Sequence, residues 1–396
     1  MARLGDRNEE KIPLWRDERF IKIAFQLAVL AIVLVIAFVL FNNALTALRI
    51  QGRQFNFNFL RNEAGFNIGE SILPYQPQDR YYWALIIGLV NTFRVILAGF
   101  VLTTVVGVIA GVASFSNNWL LRKISLVYVE LIRNTPLLLQ LFVWYFGVIL
   151  ALSGTGETAT QLLNAIYISK RQGGGIFIPW PASTPLTWIS FGLLIASAIA
   201  AFVIWKWRIR IMEEQGASGK PQAIALAIIG IVSLLLLLFG LNWQVPQASE
   251  VAGAVTGGLR MSLEYAAVLL GLVFYTGAFI AEIVRAGIQS VSKGQWEAGK
   301  ALGLQQGLLM RLVVFPQALR VIIPSLNSQY MNLAKNSSLA LAIGYPDVYS
   351  TAQTTFNQTG RPLEVFIIIA LTYLIINLII STVMNTLNQA VQLKER

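Results

Sequence analysis

Eight long, nearly uncharged apolar stretches recur along this chain: Ile23–Phe41, Trp83–Val112, Leu137–Leu152, Trp188–Trp205, Gln222–Leu241, Leu263–Ile283, one within Val321–Ile343, and Val365–Met384. A helix needs roughly 20 mostly apolar residues to cross the hydrocarbon of a bilayer. Such a series predicts an all-α, polytopic membrane protein with eight transmembrane helices. Composition agrees. Only 12% of the 396 residues are charged and 56% are hydrophobic, whereas a soluble domain carries about 25% charged residues. The mean hydropathy of +0.64 likewise excludes disorder, which needs low hydrophobicity and high charge. No small-residue cleavage site follows Phe41-Asn42-Asn43, so the first stretch reads as a retained helix and not a signal peptide.

The basic residues set the expected orientation. With the N-terminus in the cytoplasm, nineteen Lys and Arg fall in cytoplasmic segments and eight in outer ones, the bias that the positive-inside rule describes. Both termini are then cytoplasmic and the span count is even. The net charge of +11 is read as topology and lipid contact, with no nucleic-acid partner. No Cys and no His occur. Disulfides, thiolate or imidazole metal sites and His-based catalysis are therefore excluded, and no metal site is expected. Two outer segments are long. Residues 42–82 are polar and Asn-rich, and 153–186 carries Gly173-Gly174-Gly175 and three prolines, a pattern predicting irregular structure. Gly154-Thr155-Gly156 lacks the strand and helix of a dinucleotide fingerprint. Gly219-Lys220 lacks the Ser or Thr of a phosphate loop. Ser169 should face outside and Ser218 inside.

One cytoplasmic stretch differs from the other loops: residues 289–324, QSVSKGQWEAGKALGLQQGLLMRLVVFPQALRVIIP. It is long and helix-favouring. Gln295–Leu302 predicts a short helix with Glu297 in its first turn and Lys300 in its last, both suiting the macrodipole. Gly303 falls where a left-handed C-cap is needed. Gln305–Leu312 predicts a second short helix, closed by Pro316. Two readings are open for such a knob: an amphipathic hairpin on the headgroups, or a docking element for a soluble partner.

Glu297-Ala298-Gly299, three residues, Gly303, nine residues, then Val313-Val314-Phe315-Pro316 resembles the EAA loop of ABC importer permeases. That pattern reads Glu-Ala-Ala, three residues, Gly, nine residues, Ile-x-Leu-Pro. Gly299, Val313 and Phe315 depart from it within their size or chemical class. The segments Tyr128–Leu138, Ala281–Ile288 and Lys335–Leu339 are similar to those of the polar amino-acid branch, and the N-terminal helix and insertion resemble the general L-amino-acid importers. The resemblance implies a type I permease core of five helices with an N-terminal helix and a two-helix insertion. The chain then divides into 1–81 (N-terminus, first helix, outer loop), 82–152 (first core part), 153–256 (insertion) and 257–396 (second core part with the coupling loop). It implies that Glu297, Ala298, Gly299, Gly303 and Pro316 couple to a separate ATP-binding-cassette ATPase dimer. ATP and Mg would bind there, with no cofactor and no catalytic residue on this chain. It further implies a periplasmic amino-acid-binding protein, a second homologous permease favouring a heterodimer, and a bacterial inner membrane.

Ionisable residues within spans are costly and face an interior or cavity. Arg94 should line the pore, snorkel or pair with a carboxylate. Glu130 with Arg133, and Glu282 with Arg285, are spaced as structural ion pairs at span ends, and Lys335 is expected at the base of the seventh span. Glu264 and Arg260, one turn apart, would form a helical pair. Asn91, Thr92, Tyr275, Thr276, Asn327, Gln329, Tyr330 and Asn332 supply polar groups for a zwitterion path, although ordinary interhelical hydrogen bonding explains each of them equally well. An ion-coupled secondary carrier is the rival reading. It would need acids or His at mid-span, and this chain has no Asp in a span and Glu only near span ends. A membrane scaffold would need neither the polar spans nor the loop pattern.

Overall fold

The computed structural model describes residues 18–50, 52–154, 158–171, 173–215, 218–251 and 253–391. The basic residues Arg3, Arg7, Lys11, Arg16, Lys394 and Arg396, and Thr155-Gly156 of the glycine turn, lie outside them. Among the described residues seven helices are long and apolar enough to cross a membrane, and a bent pair makes up to an eighth. The first is α1 (Glu18–Ile50), whose most apolar stretch has no buried residue in the single chain. The bent pair joins α3 (Trp119–Arg133) to the run of α4 (Leu137–Phe142), a π-helical stretch (Val143–Ile149) and α5 (Leu150–Leu152). The two limbs meet at 109°. Pro136 at the bend cannot donate a backbone hydrogen bond and biases its neighbour away from helix. Gln140 bridges the corner, donating to the carbonyls of Ile132 (2.9 Å) and Thr135 (3.0 Å).

At the centre, α2 (Tyr81–Ala113) packs along α8 (Leu263–Gln289). The two run parallel: Thr103 donates to the carbonyl of Val273, Gly107 lies against Ile280, and Gly111 against Val284. A Cβ at Gly107 would sit 2.5 Å from Ile280, and one at Gly111 2.7 Å from Val284. Small residues thus let the helices approach, the usual device in lipid, where apolar burial supplies no net drive. In the chain between α2 and α8, α6 (Pro185–Gln215) and α7 (Lys220–Leu235, extended by a π turn at Leu236–Gly240) form an antiparallel hairpin. Thr187 to Leu241, Ser190 to Gly240 and Ser197 to Ser233 stitch it together.

The segment 153–186, expected to be irregular, instead carries strands. β1 (Thr160–Leu162), β2 (Ile166–Ser169) and β3 (Gly175–Ile178) form an antiparallel sheet completed by β8 (Leu259–Met261), in the order β1-β2-β3-β8. Two small ribbons pair β4 (Trp180–Pro181) with β5 (Trp243–Gln244), and β6 (Gln247–Ala248) with β7 (Val255–Thr256). The glycines that suggested irregularity serve close strand approach: a Cβ on Gly175 would lie too near the carbonyl oxygen of Met261. β8 leads straight into α8, so the sheet and the 289–324 segment occupy opposite ends of a helix about 40 Å long.

After α8 come α9 (Lys293–Ala301), α10 (Gln306–Leu309), a π stretch (Met310–Val314) and α11 (Phe315–Asn336). A 3₁₀ segment (Ser337–Ile343) then leads through a left-handed Gly344 to α12 (Val348–Thr359) and α13 (Pro362–Val391). The seventh span therefore begins earlier than Val321, because α10 and α11 run together from Gln306 to Ile343.

Residues 52–80 fold back onto the core. Phe59 and Ala64 pack with Tyr81, Leu85, Ala352 and Val365. Arg361 donates to the carbonyls of Gln54 and Asn56 and pairs with Glu364 at 2.9 Å.

Candidate functional site

The knob at 289–324 is built as a helix, a glycine stop and a rooted return. Gly303 has φ +72°. Its N–H donates to the carbonyl of Lys300 (2.9 Å) and that of Leu304 to Gly299 (3.1 Å), the paired bonds of a Schellman stop. The expected left-handed C-cap is thus present. Glu297 is placed differently: α9 starts at Lys293, so Glu297 lies mid-helix with no acidic residue in the first turn. The dipole argument for Glu297 fails, and an exposed carboxylate remains. The second short helix is not closed at Pro316 either. α10 continues through the π stretch into α11, and Pro316 is the second residue of α11, directly after that stretch. Gln305 is exposed and precedes α10.

The knob's two faces differ. Glu297, Ala298, Leu302 and Leu308 are exposed, Leu302 by 80%. Its underside is apolar: Val291, Leu309 and Val314, with Trp296 and Leu304, belong to one cluster with Ile288, Ala318, Ile322 and Leu333 of the spanning helices. Gly299 is buried with Leu309 in its side-chain space; a Cβ there would require the end of the Leu309 side chain to shift. Gln295 and Gln317 join α9 to α11, and Asn117 and Gln306 join the α2–α3 turn to α10.

Three arginines in or beside spans are ion-paired. Arg94 meets Glu70 at 2.5 Å and lies 4.6 Å from the centre of the Tyr265 ring. Its partner carboxylate comes from the outer loop, a residue sequence spacing did not single out; an arginine mid-span was the signal that an acid must reach it. Arg133 pairs with Glu282 of α8 at 3.6 Å, not with Glu130, because α3 packs against α8. Arg285 shares the same Glu282 at 3.7 Å. A cavity of about 490 Å³ lies beside this group, lined by Glu130, Arg133, Glu282 and Arg285. Arg260 and Glu264 form no helical pair: Arg260 lies in β8, and Glu264 accepts from Tyr145 at 2.8 Å.

The expected path residues separate by burial. Asn91 is fully buried and donates to the carbonyls of Glu70 and Pro346, while Thr92 accepts from the N–H of Val348. Both fasten the start of α12 to α2. Tyr330 is bonded to Thr104, and Thr276 is buried. Tyr275, Asn327 and Gln329 are half-buried. On α11, Ser328, Asn332 and Lys335 are exposed, and steps of four and three put them on one face. Lys335 ends α11 at the far end from the knob, because the helix rises away from its root at Phe315.

A polytopic helical chain with a knob rooted in its core is a membrane translocator component. A family model, the inner membrane component of binding-protein-dependent transport systems, matches residues 221–393. The permease protein YhdX of Escherichia coli, named for amino-acid ABC transport, is 42% identical over 94% of this chain and 95% of its own. The general L-amino acid transport system permease protein AapQ of Rhizobium johnstonii is 39% identical over 96% and 94%. The glutamate/glutamine/aspartate/asparagine transport system permease protein BztB of Rhodobacter capsulatus is 39% identical over 96% of both. The chain belongs to this family of ABC transporter permeases, multi-pass inner-membrane translocators that are not themselves enzymes.

Proposed function

We propose that the chain takes up polar or general L-amino acids as one permease of a heterodimer. A periplasmic binding protein delivers the substrate, and an ATPase dimer holding ATP and Mg²⁺ grips the knob. Both termini are cytoplasmic. The observation that carries this reading is the two-faced knob. Its exposed side offers Glu297 and Leu302 to a partner, and its apolar underside is continuous with α8 and α11. Movement of the gripped knob therefore shifts the spanning helices between two states, whose balance nucleotide and substrate bias by binding one better than the other. Glu297, Ala298, Gly299, Gly303 and Pro316 form the coupling element. Ser328, Asn332 and Lys335, with half-buried Asn327 and Gln329, line this subunit's part of the path. A bare polar stripe on a spanning helix needs water or a partner beside it.

The test is ATP-dependent uptake by the reconstituted complex with its binding protein, challenged with a panel of competing solutes. Polar L-amino acids should compete, and sugars should not. Uptake that runs on an ion gradient without ATP would establish the secondary-carrier reading instead.

A further inference from the structure

A second cavity, of about 280 Å³, opens at the end of the molecule opposite the knob. Five elements meet there: the outer loop with Glu70, the β2–β3 turn with Lys170, β8 with Arg260, the start of α8 with Glu264, and the segment with Gly344 and Pro346 that leads into α12. The charges are sorted by depth. Glu70 is 8% exposed and Glu264 is half-buried, whereas Lys170, Arg171 and Arg260 are exposed at the rim. One oxygen of Glu70 is held by Arg94, but the other is buried with no hydrogen-bond partner. That oxygen has almost no accessible surface, so the carboxylate that a ligand's ammonium group, with three donors, reaches from the cavity is the half-buried Glu264.

We propose that this cavity is an outer binding site for a free α-amino acid, its ammonium held inward by Glu264, beside the Arg94-bound Glu70, and its carboxylate outward by Lys170 and Arg260. The inference rests on the amino-acid reading above, and it adds a site separate from the α11 face. The volume admits a small molecule and not a folded peptide. Glycines at 69, 173, 174 and 344 line the walls, leaving the ligand's side chain unopposed. A site built this way reads the shared α-amino and α-carboxylate groups and tolerates varied side chains. It would hold substrate at the mouth between release by a binding protein and entry to the path.

The chain has no native cysteine, and a Cβ added at Gly69 meets nothing within 4 Å. Gly69→Cys therefore places a single thiol of this chain in the cavity. In the full complex reconstituted without binding protein, on partner subunits free of cysteine, its reaction with an impermeant methanethiosulfonate reagent should slow in millimolar L-glutamine. n-Butylamine and butyrate, each carrying one of the two charges, should not protect. Adding Glu264→Gln or Lys170→Ala to Gly69→Cys should raise the half-protecting concentration by about tenfold or more, the loss expected for one charged hydrogen bond. Equal labelling rates with and without L-glutamine, or equal protection by butylamine or butyrate, would overturn the site. ATP-driven glutamine uptake is measured in parallel with the binding protein present. Uptake without protection sinks the outer site alone, and protection without uptake of any amino acid upholds the site while sinking the importer reading.

Discussion

Gly303 shows how a single backbone angle shapes the knob. Its surroundings are open, since an added Cβ would meet nothing within 4 Å. The cost of substitution is therefore conformational and not steric. A β-branched side chain at φ +72° is strained by roughly 1–3 kcal/mol, and the Schellman bonds of Gly303 and Leu304 are the contacts that give way. Gly303→Val should leave the amount of chain in the membrane near normal while ATPase copurification, or the coupling of hydrolysis to substrate, falls severalfold. Gly303→Asn, which tolerates the left-handed region, should retain most of it. Equal loss in both variants would show that Gly303 serves contact with a partner and not turn geometry. The Arg94–Glu70 pair argues the opposite case, a residue fixed by charge. Arg94→Ala leaves a buried carboxylate unpaired and should cost about 3–5 kcal/mol, while replacing both residues by Met should restore much of the lost stability. Thermal unfolding in detergent measures both; equal midpoints for the single and double variants would show that the pair itself carries nothing.

Elements were legible in the sequence in proportion to how local their cause is. Apolar runs place the spanning helices because hydrocarbon thickness acts on each alone. The Gly303 stop is likewise local. The strands of 153–186 were not visible, because each is two to four residues long and exists through partners elsewhere: β3 pairs with β8 across the whole α6–α7 hairpin. The same holds for side chains at the sites. Arg94 announced that it needed an acid, but only the folding back of residues 52–80 supplies Glu70, and only the packing of α3 on α8 brings Arg133 to Glu282. Burial also revises the choice of topology probes. Ser169 is 1% exposed and bonded to the carbonyl of Gly253, whereas Leu163 in the β1–β2 turn is 91% exposed. Leu163→Cys and the exposed Ser218→Cys should therefore react with an impermeant thiol reagent from opposite sides of the membrane. Labelling from one side would mean that α6 and α7 do not both cross, and the orientation of the knob would have to be reversed or the span count changed.

For the whole molecule, the N-terminal part divides at a point the sequence did not mark. The most apolar stretch of α1 has no buried residue, while burial begins at Ala44 and Leu45 and is complete at Leu48. From Arg53 onward the chain belongs to the core: Arg53 donates to the carbonyl of Gly360, Phe59 packs on Tyr81, and Glu70 holds Arg94. The helix is thus an appendage, and the loop behind it is a structural part of the translocator. Removing residues 1–42 should leave substrate-stimulated ATP hydrolysis in whatever complex assembles, with only its yield reduced. Removing residues 1–80 strips the charge partner from Arg94 and uncovers the apolar patch around Tyr81 and Val365, so the chain should fail to accumulate or should unfold at a clearly lower temperature. Supplying Arg94→Met in the longer deletion should recover part of that stability, since it removes the stranded charge without touching the patch. If the shorter deletion assembles but loses all stimulation, α1 is a working part of the coupling machinery despite its bare surface. If the longer deletion unfolds no earlier than the shorter one, the loop is not the brace that its contacts describe.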